Sequence, residues 1–142
     1  MKAICKKTTS KDFDLKEVTT IYSNDFDYSF GGYGLEIDKE YIIMGLLVYQ
    51  DTKCIYYLTD VNGKPDWFPY LLFEVTDNSI PKHWFVKIYV KNDDSYIYSI
   101  CGFNELCNDI GFYDKLLERD ETALRIYFKR KIELENELLN DL

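Results

Sequence analysis

The chain has 142 residues, 46% hydrophobic and 30% charged, with seven Gly and three Pro. This composition excludes a collagen, a low-complexity repeat and a wholly disordered chain, and it suits one domain with its own core. Seventeen basic against 25 acidic residues leave a net charge of −8, which disfavours a nucleic-acid backbone as partner.

The N-terminus, Met1 to Thr8, carries lysines but no apolar h-region, so no secretory signal is expected. The longest apolar run, Tyr41 to Tyr49, falls far short of the ~20 residues of a membrane-spanning helix. The expected location is cytoplasmic, with no membrane partner. Residues 1–32 read as an acidic N-terminal extension in which only Val18 to Tyr22, β-branched, suggests a strand. From Asp12 to Glu40, eight acids face two lysines, Lys16 and Lys39, so most of the net charge is concentrated there.

Residues 33–101 read as the β core. The run Tyr41–Tyr49 is interrupted by Gly45, which suggests a bulge or sharp bend. After the polar break at 50–52, Cys54–Thr59 completes a hairpin. Asn62-Gly63 is a turn signal, since both residues tolerate positive φ. Pro69 confines the aromatic stretch Trp67–Val75 to an edge or a bulge. Trp84 to Lys91 alternates as a half-buried strand does, and 92–95 turns the chain into a return strand over Tyr96–Cys101.

Residues 102–142 change to a helical period. Asn104–Glu118 is interrupted at Gly111, and Asp120 is a good N-cap for a helix running to Leu139. At 100° per residue, Leu124, Tyr127, Phe128, Ile132, Leu134, Leu138 and Leu139 share one arc, with Ile126 opposite. Lys131 and Glu135 lie within that arc at a pairing distance. The expected fold is mainly β with helices (α+β): a small, strongly bent antiparallel SH3-like barrel with a C-terminal helical appendix, in a single domain.

No motif names a reaction. Cys5, Cys54, Cys101 and Cys107 contain no C-x-x-C pair, and they read as reduced, mostly buried thiols. With His83 the only histidine, neither a zinc site nor a Cys-His catalytic pair gains support from spacing. Asp25, Asp27, Ser29 and Glu36 have the spacing of a calcium loop, but Phe30 stands where the sharp turn needs Gly. Phe30 to Gly34 lacks the Lys-Ser/Thr of a phosphate loop. The chain is therefore expected to be non-enzymatic, without cofactor or metal.

Aromatics are the unusual feature, at 17% of the chain including 13 Tyr. Several run through the acidic segment, where Asp25, Phe26, Asp27, Tyr28 and Glu36 form the candidate partner-binding site. Acids steer an encounter with a basic protein, and aromatics supply contact area at low entropy cost. The competing explanation is a general bias toward Tyr, Ile, Asn and Lys. An alternative site is an aromatic peptide-binding groove built from Tyr56, Trp67 and Tyr70.

Leu35-Glu36-Ile37-Asp38-Lys39-Glu40-Tyr41-Ile42-Ile43-Met44-Gly45 resembles the opening strand of SH3-like barrels in small bacterial proteins. Together with Trp67–Asp77 and Ile80–Trp84, it makes residues 35–101 similar to immunity-type proteins of bacterial polymorphic and contact-dependent toxin systems. The resemblance implies a cytosolic protein that binds and blocks a cognate toxin domain, for example a nuclease. It transfers no binding residues.

Overall fold

A computed structural model describes residues 1–8, 33–50, 54–89 and 96–140. The protein is α+β. Its eight described strands form two antiparallel sheets, followed by three helices. Strands β1 (Lys2–Cys5), β2 (Glu40–Ile42) and β6 (Phe73–Asp77) make a small sheet in the order β2-β1-β6. Strands β3 (Gly45–Tyr49), β4 (Ile55–Val61), β5 (Lys64–Pro69), β7 (Phe85–Ile88) and β8 (Ile97–Gly102) make a larger one in the order β5-β4-β3-β8-β7. The described strands do not close into a barrel.

Two further expectations change. The run Tyr41–Tyr49 is two strands in different sheets, because the chain crosses between them at Ile43-Met44, both buried. The first residues are not all extension either: β1 is the central strand of the small sheet, with Ala3 and Cys5 fully buried. The strand expected at Val18–Tyr22 lies outside the described residues.

Local chemistry explains the turns. Asn62 and Gly63 both have positive φ, 52° and 76°, and join β4 to β5 with Val61 opposite Lys64. A short 3₁₀ turn at Tyr70–Leu72 carries the chain from Pro69 at the end of β5 into β6 of the other sheet.

The larger sheet is buried unevenly. On one face lie Leu47, Tyr56, Leu58, Trp67 and Ile100, under helices α1 (Asn104–Asn108), α2 (Phe112–Leu117) and α3 (Glu121–Asn140). On the other face, Tyr57 and Phe68 pack with Ala3, Cys5, Tyr41, Ile43 and Leu72 of the small-sheet layer. Strands β4 and β5 are thus covered on both sides, which is why Cys54–Leu58 reads as an unbroken apolar run.

Gly45 and Gly102 are cross-strand partners, and the Leu106 side chain of α1 fills the hollow they leave. A Cβ on Gly102 would lie 2.7 Å from Leu106 Cδ2 and 3.0 Å from the Met44 carbonyl oxygen. A Cβ on Gly45 would lie 2.8 Å from Leu106 Cδ2. Beside this hollow, the buried Cys107 thiol donates to the carbonyls of Phe85, Ile100 and Gly102, at 3.3, 3.7 and 3.6 Å.

Helix α3 starts where Asp120 Oδ2 accepts the Ala123 N–H at 3.0 Å. It docks through Ala123, Tyr127 and Leu134, a narrower stripe than the sequence arc, and leaves Ile132 and Leu139 exposed. Ile126, placed opposite by the helical wheel, is half-buried against the core. Lys131 does not need Glu135. Its ammonium lies 2.8 Å from Asp60 Oδ1, which also accepts the Tyr127 hydroxyl at 3.0 Å, tying α3 to β4.

The glycine hollow gives a graded prediction. Gly102→Ala, which meets backbone as well as the end of Leu106, is expected to lose about 1–3 kcal/mol in denaturant unfolding. Gly45→Ala, whose nearest backbone atom, the Cys101 carbonyl oxygen, lies farther off at 3.2 Å, is expected to lose less. Equal costs would show that Leu106 alone bears the crowding.

Candidate functional site

The larger sheet has two unlike edges. On β5, Pro65 and Pro69 lack backbone donors, and the Arg119 guanidinium bonds the Pro65 carbonyl. The outer strands of the small sheet carry Glu40, Glu74 and Asp77. Strand β7 has no proline and one charged residue, Lys87, whose ammonium lies 4.9 Å from the Tyr89 ring centroid. Among the described residues, nothing pairs with its outer side.

Register shows which way its backbone points. The Tyr89 N–H donates to the Tyr98 carbonyl at 2.9 Å, so Tyr89 is in a hydrogen-bonded pair with β8. Antiparallel pairs alternate, and Lys87 opposite Ile100 and Phe85 opposite Gly102 share that type. Val86 and Ile88 therefore turn their N–H and C=O groups outward.

Their side chains are exposed too, each at 66%. Two cross-strand rows run inward from them: Val86–Cys101–Leu46–Tyr57 and Ile88–Ser99–Val48–Ile55. The first descends from open solvent at β7 to the buried Tyr57, because the small sheet covers only the far side. A bulge then skips Tyr98, since Val48 faces Ser99 while Tyr49 faces Ile97. It sends Ile97 into the core and leaves Tyr98 54% exposed. The result is an uncharged apolar face bounded by the free edge. The expectation of a half-buried strand fails here, because no described element covers Val86 or Ile88.

Beneath the same edge lies a cleft of about 720 Å³ between residues 81–85 and the second half of α3. Met44, Phe103 and Leu134 give it an apolar floor, and Trp84, Phe85 and His83 line its mouth. Arg130 is held by Glu105 through Nε at 2.8 Å and a terminal nitrogen at 2.6 Å. Its other nitrogen lies 2.9 Å from Glu133. Glu137 Oε1 accepts the Lys82 N–H at 3.1 Å. The lining charges balance, with the carboxylates Glu133 and Glu137 against the cations Arg130 and Lys82.

The bonds from Arg130 hold the Glu105 carboxyl below its ordinary range and raise the guanidinium further. Burial pushes the Cys107 thiol up to about 11, so it keeps its proton at neutral pH. Cys5, Cys54 and Cys107 are buried and Cys101 half-buried, and none of the four forms a disulfide. Among the described residues, no group of three or more His, Cys, Asp and Glu side chains is arranged to hold a metal. None of the described helices is long and apolar enough to cross a membrane.

The sequence candidates fall elsewhere. Asp25, Phe26, Asp27 and Tyr28 lie outside the described residues. Glu36 is exposed ahead of β2; its N–H donates to the Tyr41 hydroxyl at 2.9 Å, and its carboxylate lies 3.8 Å from the Lys39 ammonium. Tyr56 and Trp67 are each only 5% exposed, because strand alternation turns both to the helix-covered face. Tyr70 is exposed on the 3₁₀ turn, so these three residues do not form an open groove. The edge of β7 was missed, although the Val86/Ile88 alternation and the Pro81-Lys82-His83-Trp84 approach were visible. Comparison with protein-family models, with curated proteins and with solved structures finds no match.

Because the folded Glu105 carboxyl is held low, its stabilisation is present above the ordinary carboxylate range and is lost as pH falls through the lowered value. Glu105→Gln is expected to cost about 1–2 kcal/mol at pH 7, the low end for charged hydrogen bonds because Arg130 is 31% exposed. In melts across pH, the gap to the parent should narrow toward acid. A gap independent of pH would assign the cost to packing.

Proposed function

We propose that the chain is a non-enzymatic binding protein that neutralises a basic protein partner by direct contact in the cytoplasm. The resemblance of residues 35–101 to immunity-type proteins makes a cognate toxin domain, such as a nuclease, the favoured partner. The two sheets read as an opened relative of a small SH3-like barrel, with the crossing at Ile43-Met44 supplying the strong bend.

One observation carries this reading: an exposed apolar sheet face at Val86 and Ile88, in a chain of net charge −8. Contiguous exposed apolar surface rimmed by polar groups marks interaction sites. Surplus negative charge raises the encounter rate with a cationic protein and repels nucleic acid. A basic toxin surface is complementary on both counts.

The test is capture by tagged protein from source-cell lysate, with a salt step and mass identification. A stoichiometric basic partner released by salt is the expected outcome; a stoichiometric acidic one would overturn the reading. With that partner in hand, Asp25→Lys combined with Asp27→Lys is expected to lower the association rate, most at low salt, with little change in dissociation. An unchanged rate would remove the acidic segment from the encounter.

A further inference from the structure

We infer that the cleft between residues 81–85 and α3 is a binding site for an uncharged aromatic amide, a small molecule with a flat apolar ring and a carboxamide edge. The inference goes beyond the binding-protein reading and does not rest on it, since it concerns the cavity and not the exposed sheet face.

Size and floor come first. At about 720 Å³ the cleft falls within the range of small-molecule sites, which are mostly apolar pockets with a few placed polar groups. Its floor is already built: Met44, Phe103 and Leu134 are buried members of the helix-side core. Phe112 and Tyr127 hold the Phe103 ring edge-on, at centroid distances of 5.6 and 6.2 Å. A flat ring laid on this floor removes apolar surface from water, and Trp84 and Phe85 add aromatic surface at the mouth.

The charges select against ions. Arg130 commits its nitrogens to Glu105 and Glu133, and Glu137 Oε1 accepts the Lys82 N–H. With two carboxylates balanced by two cations, the lining favours neither sign. An entering anion meets Glu133 and Glu137, and an entering cation meets Arg130 and Lys82. Either gives up hydration with no surplus of opposite charge to replace it.

Carboxamides are what the lining leaves available. Asn136 and Asn140 lie one turn apart on the cleft side of α3, and Asn104 begins α1. Asn104 Oδ1 accepts the Asn108 Nδ2 group at 2.9 Å, which leaves the Asn104 amide hydrogens to donate. Among the described residues, no hydrogen bond engages the side chain of Asn136 or Asn140. A carboxamide donates and accepts at once, so an amide edge satisfies it fully, whereas a carboxylate only accepts and an ammonium only donates.

The probes are indole-3-acetamide, the nearly isosteric indole-3-acetate, and tryptamine, each titrated into the intact chain near neutral pH and followed by methyl and indole NMR. The amide is expected to give saturable shifts at the Met44 and Leu134 methyls and at the Trp84 indole N–H. Both ionic probes are expected to bind on the order of tenfold more weakly. Asn136→Asp, an exposed and nearly isosteric change, should leave the melt near the parent's. It should weaken the amide severalfold and strengthen tryptamine, a reversal that a merely structural effect would not produce.

Equal binding of the three probes would reduce the cleft to an unselective apolar slot and overturn the proposal. Tighter binding of either ion, shifts centred elsewhere, or no saturable shift with the amide would overturn it too. So would release by the amide of a protein captured from lysate, which would assign the cleft to the protein interface.

Discussion

The arrangement turns on the glycine pair at Gly45 and Gly102. With no side chain on either partner, the centre of the larger sheet has a hollow deep enough for Leu106. That contact seats the five-residue helix α1 against the strands, too short to hold a position by its own hydrogen bonding. It also brings the Cys107 thiol to the carbonyls of Phe85, Ile100 and Gly102, stitching α1 to β7 and β8. The chain can then turn at Gly111, with φ of 78°, and lay α2 and α3 over β3 to β5.

The exposed edge of β7 is a consequence of what those layers leave out. The helices fill one face of the sheet but diverge from residues 81–85, and the gap is the cleft. The small-sheet layer covers the opposite face over β4 and β5 and reaches Leu46 of β3. Strand β7 sits where the described coverings end, so a strand with ordinary core residues meets solvent on the apolar side and the cleft on the other. Arg130 stabilises this end by joining Glu105 of α1 to Glu133 of α3, keeping both carboxylates hydrogen-bonded.

Much of the local structure was legible. The turn at Asn62-Gly63, the interruption at Gly111, the cap at Asp120 and the β7–β8 hairpin each depend on chemistry within a few residues. The sheet crossing at Ile43-Met44 was not, because Tyr41–Tyr49 is apolar throughout and both halves are partly buried, only against different layers. Nor was the fate of Tyr56 and Trp67. An aromatic residue reads the same whether it lines a groove or fills a core, and only the helices lying over that face decide.

The amino-acid sequence by itself determined the turn at Asn62-Gly63, the helical C-terminus, the acidic balance and the absence of any spaced catalytic or metal-binding motif, since these follow from side-chain chemistry and short-range periodicity. Tertiary structure alone decided that the strands divide into two sheets, that Lys131 pairs with Asp60 and Arg130 with Glu105, and that Val86 and Ile88 stay uncovered. Those outcomes depend on residues far apart in the chain and on where packed layers end. Periodicity distinguishes two faces of a strand, but it carries no information on whether a layer arrives to cover either one.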